Sequence, residues 1–250
     1  MKIIYLSPHL DDAVFSCGGW IWDQVQRGLE VEIWTIFAGD PPPGDLSDLA
    51  RSIHKSWKLT ENVVETRREE DKEACRILGV EARYLPFPDC IYRFSQDGDP
   101  YYQEGGDIFS GLDPREVDLI DMVSVALKEM LAEEGELIIP LAIGNHVDHE
   151  ITRKAASRLG RCLSYYTDYP YARESEGKQI IRIMEKSREW QADQLQVSAM
   201  GMDFWWQAAQ AYRSQISTFW EDEGDLRNEI GEFSRNLGGF RLWKAVDEGH

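Results

Sequence analysis

The sequence predicts an α/β fold built on a mainly parallel sheet, and three observations carry that expectation. Short apolar runs of strand length alternate with stretches of helical length, as in successive βα units. Glycine or proline punctuates most junctions, at Pro8, Gly28, Gly79, Pro86 and Gly135. Two clusters of histidine and aspartate stand just beyond predicted strands, where ligands bind in open α/β sheets.

The elements follow in order. Lys2 to Leu6 is a buried strand, stopped at Ser7-Pro8 because proline cannot continue a ladder. Residues 13–28 read as a helix with apolar Val14, Ile21, Trp22 and Val25, closed by glycine. Cys17-Gly18-Gly19 near its start suits close helix packing or backbone approach to a ligand. No GxGxxG accompanies it, so no dinucleotide site is read. Residues 30–37 form a second strand, followed by a breaker-rich loop over 39–59 of the length that lids and binding loops have. A charged helix over 61–78 ends at Gly79, and 82–85 is the third strand. Residues 91–112 are irregular and rich in aromatics, Asp113-Pro114 opens a helix through about 134, and 136–140 is the fourth strand. Farther on, 162–167 and 178–184 read as strands joined by an aromatic turn whose tyrosines either roof a site or join the core. Residues 187–196, 204–220 and 225–236 read as helices, and the acidic run 221–225 as a solvated linker. Trp205, Trp206 and Trp220 read as core or subunit contacts, which leaves a homo-oligomer open.

Composition narrows the function. At 250 residues and 28.8 kDa the expectation is one domain over 1–250, with insertions near 39–60 and 91–112. With 45 acidic against 27 basic residues the net charge is −18, which argues against nucleic acid and anionic membrane surfaces. A small-molecule partner fits that balance. No apolar run approaches a membrane span, no signal stretch is read, and Cys17, Cys75, Cys90 and Cys162 form no CxxC pair; a cytoplasmic protein with reduced thiols is expected.

The chemistry concentrates in His9-Leu10-Asp11-Asp12 and in Gly144-Asn145-His146-Val147-Asp148-His149-Glu150. Asp11 and Asp12 suit a helix N-terminus, and a lone HxxH is compatible with solvated helix histidines. Yet three of the five histidines fall at two strand ends, and two His with one carboxylate is the composition of a catalytic zinc site. Asp89 stands at a third strand end, where it also suits a turn after Pro88. Cys90 has no histidine assigned to serve it as a nucleophile.

These motifs resemble those of the PIG-L/LmbE-like de-N-acetylases. The family pattern is His-Pro-Asp-Asp, often followed by Glu; here Leu10 and Ala13 replace the proline and the glutamate. Arg67-x-x-Glu70, Leu78-Gly79-Val80, Tyr212-Arg-Ser-Gln215 and the 238–243 segment extend the likeness. The resemblance implies a Rossmann-like three-layer LmbE-like domain and a zinc-dependent hydrolase that removes acetyl from N-acetylglucosamine-type sugars. It implies His9, Asp12 and His149 as zinc ligands, and a site of that composition also accepts Fe2+ or another divalent ion. It implies Asp11 as general base, His146 as oxyanion partner with Asp148 favouring its imidazolium, and Arg67 and Asp89 as substrate contacts. Whether His146 or Asp11 protonates the amine stays open. Two other readings stand beside this one: a metal-dependent hydrolase of another ester, amide or phosphoester bond, and an inactive carbohydrate binder that would not require a base at Asp11.

Overall fold

The computed structural model describes residues 2–131, 135–235 and 240–246. It holds β1 (Lys2–Ser7), α1 (Asp12–Gln26), β2 (Glu30–Thr35), α2 (Asp48–Ser56), α3 (Val63–Leu78) and β3 (Glu81–Tyr84). After three 3₁₀ turns come α4 (Val117–Met130), β4 (Glu136–Pro140), α5 (Val147–Ser157), β5 (Leu163–Tyr166) and α6 (Ser175–Lys186). The chain continues through β6 (Trp190–Leu195), α7 (Ala199–Gln210), α8 (Arg213–Phe219), α9 (Glu223–Arg235) and β7 (Phe240–Ala245).

The strands form one seven-stranded sheet in the order β3-β2-β1-β4-β5-β7-β6. β1 to β5 pair in parallel, and β7 runs antiparallel to both β5 and β6. β1 is apolar from Ile3 to Leu6 because both its faces are covered, as parallel strands require. Ile3 and Tyr5 enter a core with Val14, Ile21 and Trp205, whereas Ile4 and Leu6 enter one with Leu127, Ile139 and Ile151. That alternation divides α1, α3 and α7 on one face from α4, α5 and α6 on the other, giving the three layers expected.

Strand order reverses between β1 and β4, since the chain first adds β2 and β3 on one side and then β4 and β5 on the other. The carboxyl ends of strands flanking such a switch point are where open α/β sheets bind ligands. The two motifs follow β1 and β4.

Gly18 and Gly19 serve helix packing. A Cβ at Gly18 would lie 2.5 Å from Cδ1 of Trp205, and one at Gly19 would lie 2.6 Å from Val197. The indole donates to Val14 O (2.7 Å), which locks α7 onto α1. Trp205 and Trp220 are thus core, while Trp206 is half-buried beneath Arg227.

Several expected elements change. The 39–59 loop contains α2, capped where Ser47 Oγ accepts from Ala50 N (3.0 Å). Residues 178–184 lie in α6, whose buried positions Gly177, Ile181 and Met184 follow helical spacing. Residues 190–195 are β6, an edge strand with alternating exposure, and not a helix. The helix expected over 204–220 breaks at Ala211-Tyr212 into α7 and α8, and the acidic run 221–225 enters the first turn of α9. The expected end of the 113–134 helix, Asn236 and the 238–239 glycine pair lie outside the described residues. Among the described residues, no helix is long and apolar enough to cross a membrane.

Candidate functional site

The loop after β1 is fixed by its own serine. Ser7 Oγ donates to His9 O (2.6 Å) and accepts from Ala13 N (3.0 Å), while Leu10 turns into the core at the family's proline position. Asp11 is the residue before α1, but its side chain makes no cap bond. Its carboxylate instead accepts from Arg67 Nη2 (3.3 Å). Asp12 opens the helix, and its Oδ2 accepts from His9 N (2.7 Å).

The second motif caps α5. His146 precedes the helix, with Nδ1 accepting from Asp148 N (3.2 Å), and His149 lies in the first turn. Across the switch point, Asp12 Oδ2 stands 3.1 Å from His9 Nδ1 and 3.3 Å from His149 Nε2. One ring nitrogen from each of His9, His146 and His149 lies within 4.8 Å of the other two. The structure therefore brings together His9, Asp11, Asp12, His146, Asp148 and His149. Arg67 and Asp89 join them, with Arg67 Nη1 3.8 Å from Asp89 Oδ2.

His149 shows what the cluster is suited to hold. Its Nδ1–H donates to Asp168 Oδ1 (2.7 Å), so in the neutral ring Nε2 carries the lone pair. That Nε2 is buried and makes no hydrogen bond. A buried imidazole nitrogen without a partner, beside a carboxylate oxygen and two further imidazoles, fits a divalent ion. A carboxylate behind the ligating histidine is the arrangement that fixes its tautomer.

The charges agree. Burial lowers the His9 pKa, but Asp89, Asp12 and Asp148 outweigh it and hold it well above the usual value. For His149 burial is likewise overcome by Asp12 and Asp168, which push it up to about 9. Burial works against the Asp12 carboxylate too, yet His149 and His9 hold its pKa well below the usual range. The carboxylates thus demand positive charge at this point, which protons supply to the imidazoles and a cation could supply instead. Burial raises Asp11 to about 6 against the pull of Arg67.

One expected relationship differs. Asp148 does not hold His146 as an imidazolium; its carboxylate is taken up by His9 Nε2 (3.0 Å), Cys90 N (3.0 Å) and Arg93 Nη1 (2.6 Å). Its hydrogen bond to His146 comes only from the amide; burial and the neighbouring His9 push the His146 pKa well below the usual value, although the Asp148 charge works in the expected direction and raises it. In its neutral form His146 accepts at Nδ1 from the Asp148 amide and carries its proton on Nε2.

A cavity of about 280 Å³ opens over the cluster. His9, Asp11, Asp12, Arg67, Asp89 and His146 line its floor, and Gln215, Thr218 and Phe219 of α8 close one wall. Ile53, Ser56 and Trp57 come from the 39–60 stretch, and Ile91, Gly105, Ile108 and Phe109 from 91–112. Trp57 lies over the Arg67 guanidinium at 4.4 Å. Of the aromatic turn, Tyr171 lines the cavity whereas Tyr166 and Tyr169 are core. Asp89 is the turn residue expected, with Oδ1 accepting from Ile91 N (3.2 Å), while Oδ2 faces Arg67 at the cavity floor. Burial drives the Cys90 thiol well above its usual pKa, which removes it as a nucleophile. Larger surface grooves exist, such as that of about 650 Å³ between α7 and α9, but the candidate metal clusters among the described residues all fall at the switch point.

Residues 4–159 match the model of the PIG-L family, described as GlcNAc-PI de-N-acetylase. The chain belongs to the PIG-L family. It is 31% identical over 187 residues to the 2'-N-acetylparomamine deacetylase of Niallia circulans, a stretch that makes up 67% of this chain and 66% of that protein. The chain thus spans just under two thirds of that relative. A deacetylase of the teicoplanin biosynthesis pathway, solved as a bog complex, is 28% identical with a TM-score of 0.79 over 100% of both chains. The zinc-inhibited form of teicoplanin deacetylase is 27% identical with a TM-score of 0.78, again over 100% of both.

The PIG-L match contains all eight site residues expected from the sequence, whereas Asp168, Tyr171 and Gln215 lie beyond it. Asp168 was missed although it follows a predicted strand, the same signal that marked His9. Arg93, inside irregular chain, carried no signal.

Proposed function

We propose that this chain is a metal-dependent de-N-acetylase of an N-acetylated amino sugar, in which His9, Asp12 and His149 hold the ion. The observation that carries the reading is the buried Nε2 of His149, which makes no hydrogen bond and stands 3.3 Å from Asp12 Oδ2, with Asp11 one residue away on the same loop. The deacetylase relatives support the reaction class. Zinc is the ion we assign.

When bound, such an ion lowers the pKa of water and polarises an acyl carbonyl. Asp11 is the general base: with a pKa of about 6 it is a carboxylate at neutral pH and still basic enough to take a proton from water. Arg67, 3.3 Å away, aims that carboxylate. Neutral His146 donates its Nε2–H to the developing oxyanion, a task that needs a fixed donor and not a full charge. Asp11, once protonated, stands ready to return the proton to the departing amine. Asp89 and Arg67 contact sugar hydroxyls, and the walls from 39–60 and 91–112 select what the sugar is attached to.

The test is a panel of N-acetylglucosaminides assayed for released amine, before and after chelation and with zinc restored. Amine release that stops on chelation and returns with metal supports the reading. Full activity after complete metal removal, or release of phosphate or alcohol without amine, contradicts it.

A further inference from the structure

We propose that Arg93 is a positioning residue for the metal centre, acting through Asp148 on the ring of His9. The proposal rests on the reading of His9 as a metal ligand. It gives the 91–112 insertion a task beyond walling the cavity.

Asp148 is fully buried, and its carboxylate is divided between two jobs. Oδ1 accepts from Arg93 Nη1 at 2.6 Å, and Oδ2 accepts from Cys90 N and His9 Nε2, both at 3.0 Å. With Nε2 tied to Asp148, His9 presents Nδ1 to Asp12 Oδ2 at 3.1 Å. The orientation of His9 is therefore only as definite as that of Asp148. Among the described residues, Arg93 supplies the one permanently charged side chain in that carboxylate's hydrogen-bond set, since the charge on His9 depends on a proton that a metal ion would displace. A buried carboxylate deprived of such a partner is strongly disfavoured and is no longer held as an acceptor.

Arg93 is itself fixed from several sides. Its Nε donates to Glu116 Oε1 at 2.6 Å, its Nη2 to Glu116 Oε2 at 3.3 Å, and its Nη1 also to Pro88 O at 3.3 Å. Tyr102 Oη donates to the same Glu116 at 2.6 Å, and the guanidinium lies 5.1 Å from the Phe37 ring centroid. A planar guanidinium can serve two carboxylates at once, which a lysine ammonium does less rigidly. Arg93 thus has two ends, one held by Glu116 and Tyr102 and the other donating to Asp148, whose second carboxylate oxygen meets His9.

A clamp that merely holds the insertion down would share most of these contacts, so the test must separate the two ends of Arg93. Metal affinity is measured by Co2+ titration followed by its absorption spectrum, with folding checked by circular dichroism. Arg93→Met is expected to weaken Co2+ binding about tenfold or more, within the 10–100-fold range typical of groups behind a ligand, and to alter the spectrum. Arg93→Lys should recover part of the loss, and it answers the question if Arg93→Met does not fold. Glu116→Gln loosens the same clamp without touching Asp148, so it should lower stability and leave affinity near that of the parent. Combined with Asp148→Asn, Arg93→Met should add no further loss. Unchanged affinity in Arg93→Met and Arg93→Lys, an equal loss in Glu116→Gln, or multiplying losses in the double variant would overturn the proposal. A parent chain that binds no metal overturns the ligand assignment, and the proposal with it.

Discussion

His149 gives its Nδ1–H to Asp168 across 2.7 Å, and by doing so turns its Nε2 toward Asp12 at 3.3 Å. The two residues come from different elements, the first turn of α5 and the loop after β5, which meet only because β4 and β5 are adjacent in the sheet. Removing the acceptor frees the ring and its tautomer. Asp168→Asn should therefore weaken metal binding about 10–100-fold while the fold persists. Equilibrium competition with a chelator measures this, and parental affinity in the variant would dismiss the role of Asp168.

Metal and protons compete for His149. In the metal-free chain its pKa is raised to about 9, so the ring is protonated at neutral pH and must lose that proton to ligate. Affinity should then rise as pH increases from neutral toward about 9, with proton release on binding at pH 7 from His149 and from His9, whose pKa is also raised. Calorimetry in buffers of different ionisation enthalpy counts those protons. Binding at pH 7 without proton release would contradict the assignment.

The packing of α1 on α7 leaves no room at Gly18. A methyl there meets Trp205 at 2.5 Å, and overpacking of this kind costs about 1–3 kcal/mol. Gly18→Ala should lower the melting temperature by several degrees, about 2–4 °C per kcal/mol for a chain of this size. Metal content should stay parental, since Gly18 lies six residues along α1 from Asp12 and faces Trp205 of α7.

The cavity walls predict a separation of binding from turnover. Phe109 is 41% exposed at the cavity and packs edge-on to His146, with ring centroids 5.3 Å apart. Phe109→Ala should raise KM for glycosides with a bulky aglycone and leave kcat within a few fold, because it removes contact made equally in ground and transition states. A large fall in kcat with KM unchanged would give the ring a part in the chemistry instead.

The parallel half of the fold was legible because short strands rich in Ile, Val, Leu and aromatics alternate with helical stretches, with glycine or proline near most junctions. His9 and His149 could be placed from the sequence by one rule, that strand ends at a sheet's switch point carry sites. The C-terminal third was not legible in the same way. Ile180, Ile181 and Ile183 sit densely enough to mimic a strand, while β6 is half exposed at an edge and carries Gln191, Asp193 and Gln194. α2 is nine residues long behind a proline run, too short for its period to stand out. Arg93 and Asp148 are 55 residues apart, and only the folded chain shows that one fixes the other.

Asp11 and Asp12 are neighbours with different partners, Arg67 for the first and the histidines for the second. The account assigns proton transfer to one and metal to the other, so their substitutions must fail differently. The decisive measurement is metal content and kcat of Asp11→Asn and Asp12→Ala on the same amine-release assay. Asp11→Asn should keep about parental metal and lose roughly 10²–10⁴-fold in kcat, whereas Asp12→Ala should lose the metal itself. Metal loss in Asp11→Asn, or near-parental turnover by it, would contradict the division of labour between the two carboxylates.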